Sequence, residues 1–426
     1  MTINRLRKTV LLATMLLPFM VFAQTQTSSP YSFFGVGDAN EQVNIRTFSM
    51  GGANLAVRSN MYINFSNPAS YTGIDSLSFV AGVGVQSTMG TYRTNEQTSQ
   101  LSNTSVNHLS FAFPITRWWK SSVALIPYSN LGYEVQNDEL LDINVSSRAI
   151  YTGTGGIDKV NWGNGFQITK NLSVGINSSY YFGRVEHIQT VIFPDSAYLE
   201  NARLQERDLL NGFHFSLGAQ YFIPTGNKST LGLAATYTPQ TTLNINTDYL
   251  ATTFIGDEPG YESALDTIYS ITGLEGETVL PYTFGFGISW EKKNKFLVAA
   301  DFMFDNWDSF SYLGQSNNLS DKMKASFGME FIPTSNNLSS YLKLVHYRLG
   351  VRYNKMGLKF NNIDLQEYAI SVGFGLPLRK SASILNLGIE IGQNGTIESS
   401  LIQERFVKIA LGISIKENWF RKGKYF

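Results

Sequence analysis

Apolar residues recur at every second position through much of this chain, yet beyond the first two dozen residues no run of 18 apolar residues exists. Leu77, Phe79, Ala81, Val83 and Val85 alternate with Ser78, Val80, Gly82, Gly84 and Gln86. Leu172, Val174, Ile176, Tyr180 and Phe182 alternate with Ser173, Gly175, Asn177, Ser179 and Gly183. The same period marks Phe213/Phe215/Leu217, Tyr282/Phe284/Phe286/Ile288/Trp290, Phe296/Val298/Phe302/Phe304 and Val407/Ile409/Leu411/Ile413/Ile415. A period of two puts each set on one face of a strand. Charged residues are 15% of the chain, against ~25% in ordinary soluble proteins. The second face therefore carries mostly Gly, Ser, Asn and Ala, not the Lys and Glu that a soluble β-sandwich turns to water. This pattern specifies an all-β fold, a transmembrane antiparallel β-barrel with lipid outside and a wet or plugged lumen.

Fourteen strands are expected, near residues 77–86, 107–115, 121–133, 158–168, 172–185, 211–222, 230–243, 281–290, 295–304, 322–332, 344–354, 367–377, 384–392 and 404–415. Short connections at 116–120, 169–171, 223–229 and 291–294 alternate with longer ones, as periplasmic turns alternate with external loops. Residues 186–210 and 244–280 read as the long loops, and 134–157 as another strand or a folded-in segment. An even count returns both ends of the barrel to the periplasmic side. Trp118 and Trp119 beside a short turn, with Tyr221 and Trp290 at strand ends, fit aromatic girdles. The terminal Phe426 fits the aromatic C-terminus of bacterial barrels. Pro127 has no N–H for a ladder, so it marks a kink or gap in the wall, or an ordinary strand end or bulge.

The first residues read as an export signal. Arg5, Arg7 and Lys8 precede an apolar stretch at 10–22, and Val21-Phe22-Ala23 supplies a cleavage site. That stretch is well short of the ~20 residues a spanning helix needs, so cleavage after Ala23 and delivery to the bacterial outer membrane are expected in preference to an uncleaved anchor. Gln24 and the absence of cysteine exclude a lipoprotein anchor, disulfides and thiolate chemistry. Without the three leader bases, 30 Lys+Arg face 33 Asp+Glu, so no nucleic-acid partner is implied.

Residues 24–76 show little alternation but are apolar enough to fold. They hold Gly35, Gly37, Gly51 and Gly52, then Asn67-Pro68-Ala69. Fourteen strands enclose more space than their own side chains fill, so the expected division is a signal peptide at 1–23, an N-terminal hatch or plug at 24–76, and a barrel with a short periplasmic tail at 77–426. Gly82 and Gly84 on the lumen face would leave room for the plug. Met50-Gly51-Gly52-Ala53, followed by Ile63-Asn64-Phe65-Ser66-Asn67-Pro68-Ala69-Ser70, resembles the hatch of the FadL/TodX family of outer-membrane transporters of hydrophobic compounds. Trp119-Lys120 running into Leu125-Ile126-Pro127-Tyr128, and Ala300-Asp301 running to Asn306-Trp307, are similar to later landmarks of that family. The closing Asn418-Trp419-Phe420-Arg421-Lys422 resembles its Bacteroidota-type members. The resemblance implies a fourteen-stranded barrel with an N-terminal hatch, in which Asn67, Pro68 and Ala69 are hatch residues. It also implies passive uptake of hydrophobic molecules, which enter from an external groove and leave sideways through the wall.

Catalytic, metal and phosphate signatures are weak. His108 and Ser110 share a strand face, but Leu109, Phe111 and Phe113 take the lipid-facing register and turn that pair into the lumen, where no orienting partner or oxyanion site is assigned. His108, His187, His214 and His346 are scattered without ligand spacing. Gly153-Thr154-Gly155-Gly156 lacks the Lys-Ser/Thr of a phosphate loop. No enzyme activity, cofactor or metal is expected. Alternation turns Asp301, Glu330, Arg348, Arg352, Glu390 and Lys408 inward. This mixed-sign set reads as a salt-bridge network fixing the hatch; the functional alternative is that Arg348 or Arg352 meets a ligand carboxylate.

The expected function is passive uptake of small hydrophobic molecules such as long-chain fatty acids, with outer-membrane lipid and the hydrophobic ligand as partners. The alternative is a non-transporting barrel subunit of an outer-membrane protein assembly or secretion complex, partnered by other envelope proteins. An apolar pocket beneath the loops with a wall gap would favour the first. A sealed lumen with an apolar periplasmic or loop surface would favour the second.

Overall fold

The structure is a computed structural model that describes residues 29–418 apart from 143–144, 195–197, 227, 257–261, 317–318, 335, 337, 361–362 and 380. The leader with its expected cleavage after Ala23, Phe426 and residues 419–422 of the closing motif lie outside the described residues. No helix among the described residues is long and apolar enough to cross a membrane; the wall is made of strands.

Fourteen strands form that wall. They are β1 (Ser78–Arg93), β2 (Thr98–Pro114), β3 (Trp119–Asp142), β4 (Val145–Gln167), β5 (Leu172–Ile192) and β6 (Asn201–Gly226). β7 runs through Ser229–Thr238 and, past Pro239, Thr241–Ile255; β8 runs through Ser263–Leu280 and, past Pro281, Thr283–Lys292. β9 (Phe296–Asp305), β10 (Lys322–Phe331), β11 (His346–Phe360), β12 (Ile363–Pro377), β13 (Ile384–Asn394) and β14 (Gln403–Asn418) complete the set. Every neighbouring pair is antiparallel, and β14 pairs with β1 from Gln403↔Arg93 to Asn418↔Ser78, which closes the barrel. Closure leaves no free outer edge in the lower wall, as hydrocarbon demands. Lipid-facing Leu109, Phe213, Phe286, Ile370 and Ile391 are exposed, while their in-strand neighbours Ser110, His214, Ser371 and Glu390 are buried.

The long connections differ from the expectation. Residues 186–210 and 244–280 are largely strand, because β5, β6, β7 and β8 continue past the membrane as paired ribbons; Asn201↔Phe254 to Asn211↔Asn244 is one unbroken ladder. The described residues of 134–157 hold no extra element and extend β3 and β4. Toward the tips of these ribbons, as over 263–275, the apolar period fades because both faces meet water, while Thr, Tyr and Ile keep the backbone extended. Pro239 and Pro281 lie where the two halves of β7 and β8 join, between the pairs Thr238↔Thr283 and Thr241↔Leu280. At the short-turn end, residues 332–345 break the pattern with a longer connection that includes a helical turn, Tyr341–Leu344.

Residues 29–77 lie inside the wall and run from its extended-hairpin end to its short-turn end. Ser29 to Gly37 contact the upper ends of the strands, where the Tyr31 hydroxyl donates to the Ile402 carbonyl at 2.7 Å. Pro68–Gly73 form a 3-10 helix at the other end. The first described residues thus stand at the extended-hairpin end, opposite the short-turn end where β1 begins.

Candidate functional site

The interior segment is irregular chain at membrane depth, so its backbone groups need partners inside the protein. The wall supplies them from all sides. Asp301 on β9 accepts the N–H groups of Asn54 at 2.5 Å and Leu55 at 2.8 Å. Ser371 on β12 accepts the Gly51 N–H at 2.8 Å. Gln220 on β6 donates to the Leu55 carbonyl at 2.8 Å, Ser289 on β8 to that of Ala56 at 2.8 Å, and Asn177 on β5 to that of Phe65 at 3.0 Å. The small polar residues of the inner face are therefore hydrogen-bonding partners for one particular backbone path.

Asn67, Pro68 and Ala69 sit on a strip of glycines. Asn67 caps the 3-10 helix by accepting the Ala69 N–H at 3.1 Å, and its amide donates to the Leu55 carbonyl at 3.0 Å. A Cβ on Gly218 would stand 2.1 Å from Asn67 Oδ1, and one on Gly175 would stand 2.5 Å from the Pro68 carbonyl carbon. Backbone meets backbone just as closely where Gly350 faces Met50 and Gly51.

The inward charges form two clusters. In the first, Glu330 takes a two-pronged contact from Arg46 at 3.0 and 2.8 Å and another from Arg348 at 2.7 Å. Arg348 spends its other nitrogens on Asn386 at 2.8 Å and the Tyr62 hydroxyl at 3.1 Å. In the second, Arg352 meets Glu367 at 2.7 Å, Glu390 at 2.9 Å and Glu41, while Lys324 meets Glu41 at 3.0 Å and Lys408 meets Glu390 at 3.8 Å. All the nitrogens of Arg348 and Arg352 face protein acceptors. Sequence reasoning did not single out Arg46, Glu41 or Tyr62, the interior segment's own contributions. Glu41 and Arg46 stand among only five charges in residues 29–77, with Asp38, Arg58 and Asp75, but without periodicity the sequence does not say which way they point.

His108 and Ser110 both point inward but do not pair. His108 Nδ1 lies 2.7 Å from Asn107 Oδ1, its ring packs against Phe65, and Ser110 donates to the Gly82 carbonyl at 3.2 Å.

Pro127 marks a seam. β2 and β3 pair only from Leu109↔Leu125 to Pro114↔Lys120, and above that level they separate. Two bulges stand at the point of parting. Asn107 is the extra residue where the β1–β2 register shifts between Gly84 and Val85, and Tyr128 is the extra residue where the β3–β4 register shifts between Pro127 and Ser129. Bulges bend and twist the strands that carry them, so the edges diverge. The interior segment covers part of the open edge: Asp38 and Ala39 pair with Asn130 and Ser129.

Above the seam the lumen is packed. Tyr31 and Val36 of the interior segment join Leu131, Tyr133, Tyr181, Leu210, Leu243 and Ile245 of the wall, together with Trp307, Phe310 and Leu319 of the β9–β10 connection, in one apolar cluster. Beneath it lies a cavity of about 290 Å³ that reaches the seam at Ser105–Asn107 and Pro127–Tyr128. Among its walls are Asp38, Glu41, Lys159, Asp305, Lys322, Lys324, Arg352, Glu367 and Lys408.

A family model described as BamG matches residues 5–426. The chain belongs to the BamG family. No curated protein matches it. The solved structures that this BamG-family barrel is similar to share its fold at low identity. The toluene transporter TodX of Pseudomonas putida has a TM-score of 0.59 at 16% identity, over 90% of this chain and 99% of that one. The CymD monoaromatic hydrocarbon channel has a TM-score of 0.55 at 15% identity, over 91% of this chain and 100% of that one. A FadL homologue of Pseudomonas aeruginosa has a TM-score of 0.55 at 11% identity, over 88% of this chain and 98% of that one. The FadL-type resemblance thus holds as a fold: the BamG-family chain has the antiparallel barrel of these solved transporters and channels, and the family it matches carries a different name.

Proposed function

We propose that this protein is a non-transporting barrel subunit of an outer-membrane protein assembly or secretion complex. Its interior segment 24–76 serves as a fixed plug once the leader is removed after Ala23. The observation that carries this reading is the filling of the lumen. An apolar solute gains free energy by leaving water for apolar surroundings, and ligand pockets are accordingly lined mainly by apolar groups. Here the place beneath the external hairpins is a packed core, and the cavity below it carries nine charged side chains, of which Glu41, Lys324, Arg352, Glu367 and Lys408 are ion-paired, beside Phe48, Phe65, Tyr181, Met303 and Trp307. Asn67, Pro68 and Ala69 anchor the plug, and the Glu330 and Arg352 clusters tie it to β10–β14. The short-turn end offers a surface to a partner protein: in the 332–345 connection, Leu338 is 94% and Leu342 is 68% exposed.

A second reading, passive uptake of hydrophobic molecules such as long-chain fatty acids, is favoured by the seam between β2 and β3 and by the fold shared with solved hydrocarbon channels. Gentle detergent extraction at native expression level, with mass spectrometry of bound proteins and lipids, separates the two. A stoichiometric set of envelope proteins that is lost with Leu338→Asp/Leu342→Asp supports the subunit. A stoichiometric fatty acid or hydrocarbon in a protein without partners sinks it in favour of uptake.

A further inference from the structure

A depression of about 990 Å³ lies on the lipid-facing side of the wall and not in the lumen. Its floor is a row across five strands, Val351, Ile370, Ile391, Val407 and Met89, each the register partner of the next. Ile370 and Ile391 are exposed. One outward row nearer the extended hairpins, two residues along each strand, the face turns from aliphatic to aromatic and polar: Tyr368, Gln393, Arg405 and Thr91 are register partners there. The change from aliphatic to aromatic and polar across a single row places the boundary between hydrocarbon and headgroups at this level.

Two arginines mark that boundary. Arg405 lines the depression, and Arg93 is the next outward residue above Thr91, opposite Gln403. The pair are therefore diagonal neighbours on adjacent strands, within ~7–8 Å. Both are exposed, and among the described residues neither has an ion pair. No acidic residue takes an outward position in the rows that line the depression. Two uncompensated guanidiniums side by side suit phosphate, which they bind through paired N–H donors. An acyl-lined floor directly beneath them suits a lipid.

We propose that this groove binds a phosphorylated, multi-acyl glycolipid of the outer leaflet, of the lipid A class. Its acyl chains lie along Met89, Ile370, Ile391 and Val407, and a headgroup phosphate bridges Arg93 and Arg405. The volume lies at the upper end of the ~300–1,000 Å³ range of small-molecule sites, enough for several chain segments.

The test titrates the full-length, delipidated protein in detergent with bis-phosphorylated lipid A and reads bound lipid by native mass spectrometry. Wild type should retain one lipid A. R93Q/R405Q should bind at least tenfold more weakly, and Ile391→Ala should weaken binding less, with heat-modifiable mobility on gels showing both variants folded. Fully dephosphorylated lipid A should bind wild type no better than the double variant does. Equal binding by R93Q/R405Q and wild type overturns the proposal. So does competition by millimolar inorganic phosphate, which would make this a simple anion site.

Discussion

Glu330 illustrates how single residues hold the plug. It sits between Arg46 from the interior segment and Arg348 from β11, and both guanidiniums are buried. A buried ion pair adds little over a well-packed apolar substitute, but removing one partner leaves an uncompensated charge and costs about 3–5 kcal/mol. Glu330→Gln strands two arginines at once, so it should lower stability by at least about 3 kcal/mol. The measurement is the temperature at which the folded, fast-migrating gel band disappears. Replacing the exposed Arg148 or Asp138 of the β3–β4 ribbon should leave that temperature unchanged, since their pair is surrounded by water. Equal midpoints for Glu330→Gln and wild type would mean that the cluster does not tie the plug to the wall.

At the scale of elements, the seam makes a prediction of its own. Residues 98–106 of β2 have a ladder partner on the β1 side only. Amide hydrogen exchange should therefore show alternate N–H groups of this stretch unprotected, whereas residues 109–112, paired on both sides, exchange slowly. Uniform protection across β2 would mean that the seam is closed. The seam also shows what sequence can and cannot carry. The strands crossing the membrane were legible because lipid on one face and a lumen on the other impose a strict period of two. Their continuations above it were not, since water on both faces removes the contrast, and residues 244–280 read as loop. Pro127 was legible as an irregularity, but not its meaning, because a gap depends on a second bulge at Asn107 in a different strand. Inward charges such as Arg352 could be placed on the lumen face from alternation alone. Their partners could not, because Glu41 and Arg46 belong to a segment without periodicity whose path is fixed only by the wall around it.

For the whole molecule, the contents of the lumen decide what can cross. Fourteen strands enclose a space wide enough to conduct if empty, and here it is occupied along its length by the plug, the upper apolar cluster and the charge clusters between them. Reconstituted in a planar bilayer, the intact protein should show no steady ion conductance. Deleting residues 30–76 should open a pore, because it removes Tyr31 and Val36 from the upper cluster together with every backbone group the inner wall now satisfies. Should that deletion fail to assemble, E330Q/R352Q offers a milder route. Loss of both ion clusters should release the plug intermittently, giving flickering conductance in a wall that still shows heat-modifiable mobility. Steady conductance by the intact protein would mean that the lumen is open, and the sealed-subunit reading would fall. Silence in all three would locate the seal in the wall and hairpins themselves, and would leave the plug as structural filling.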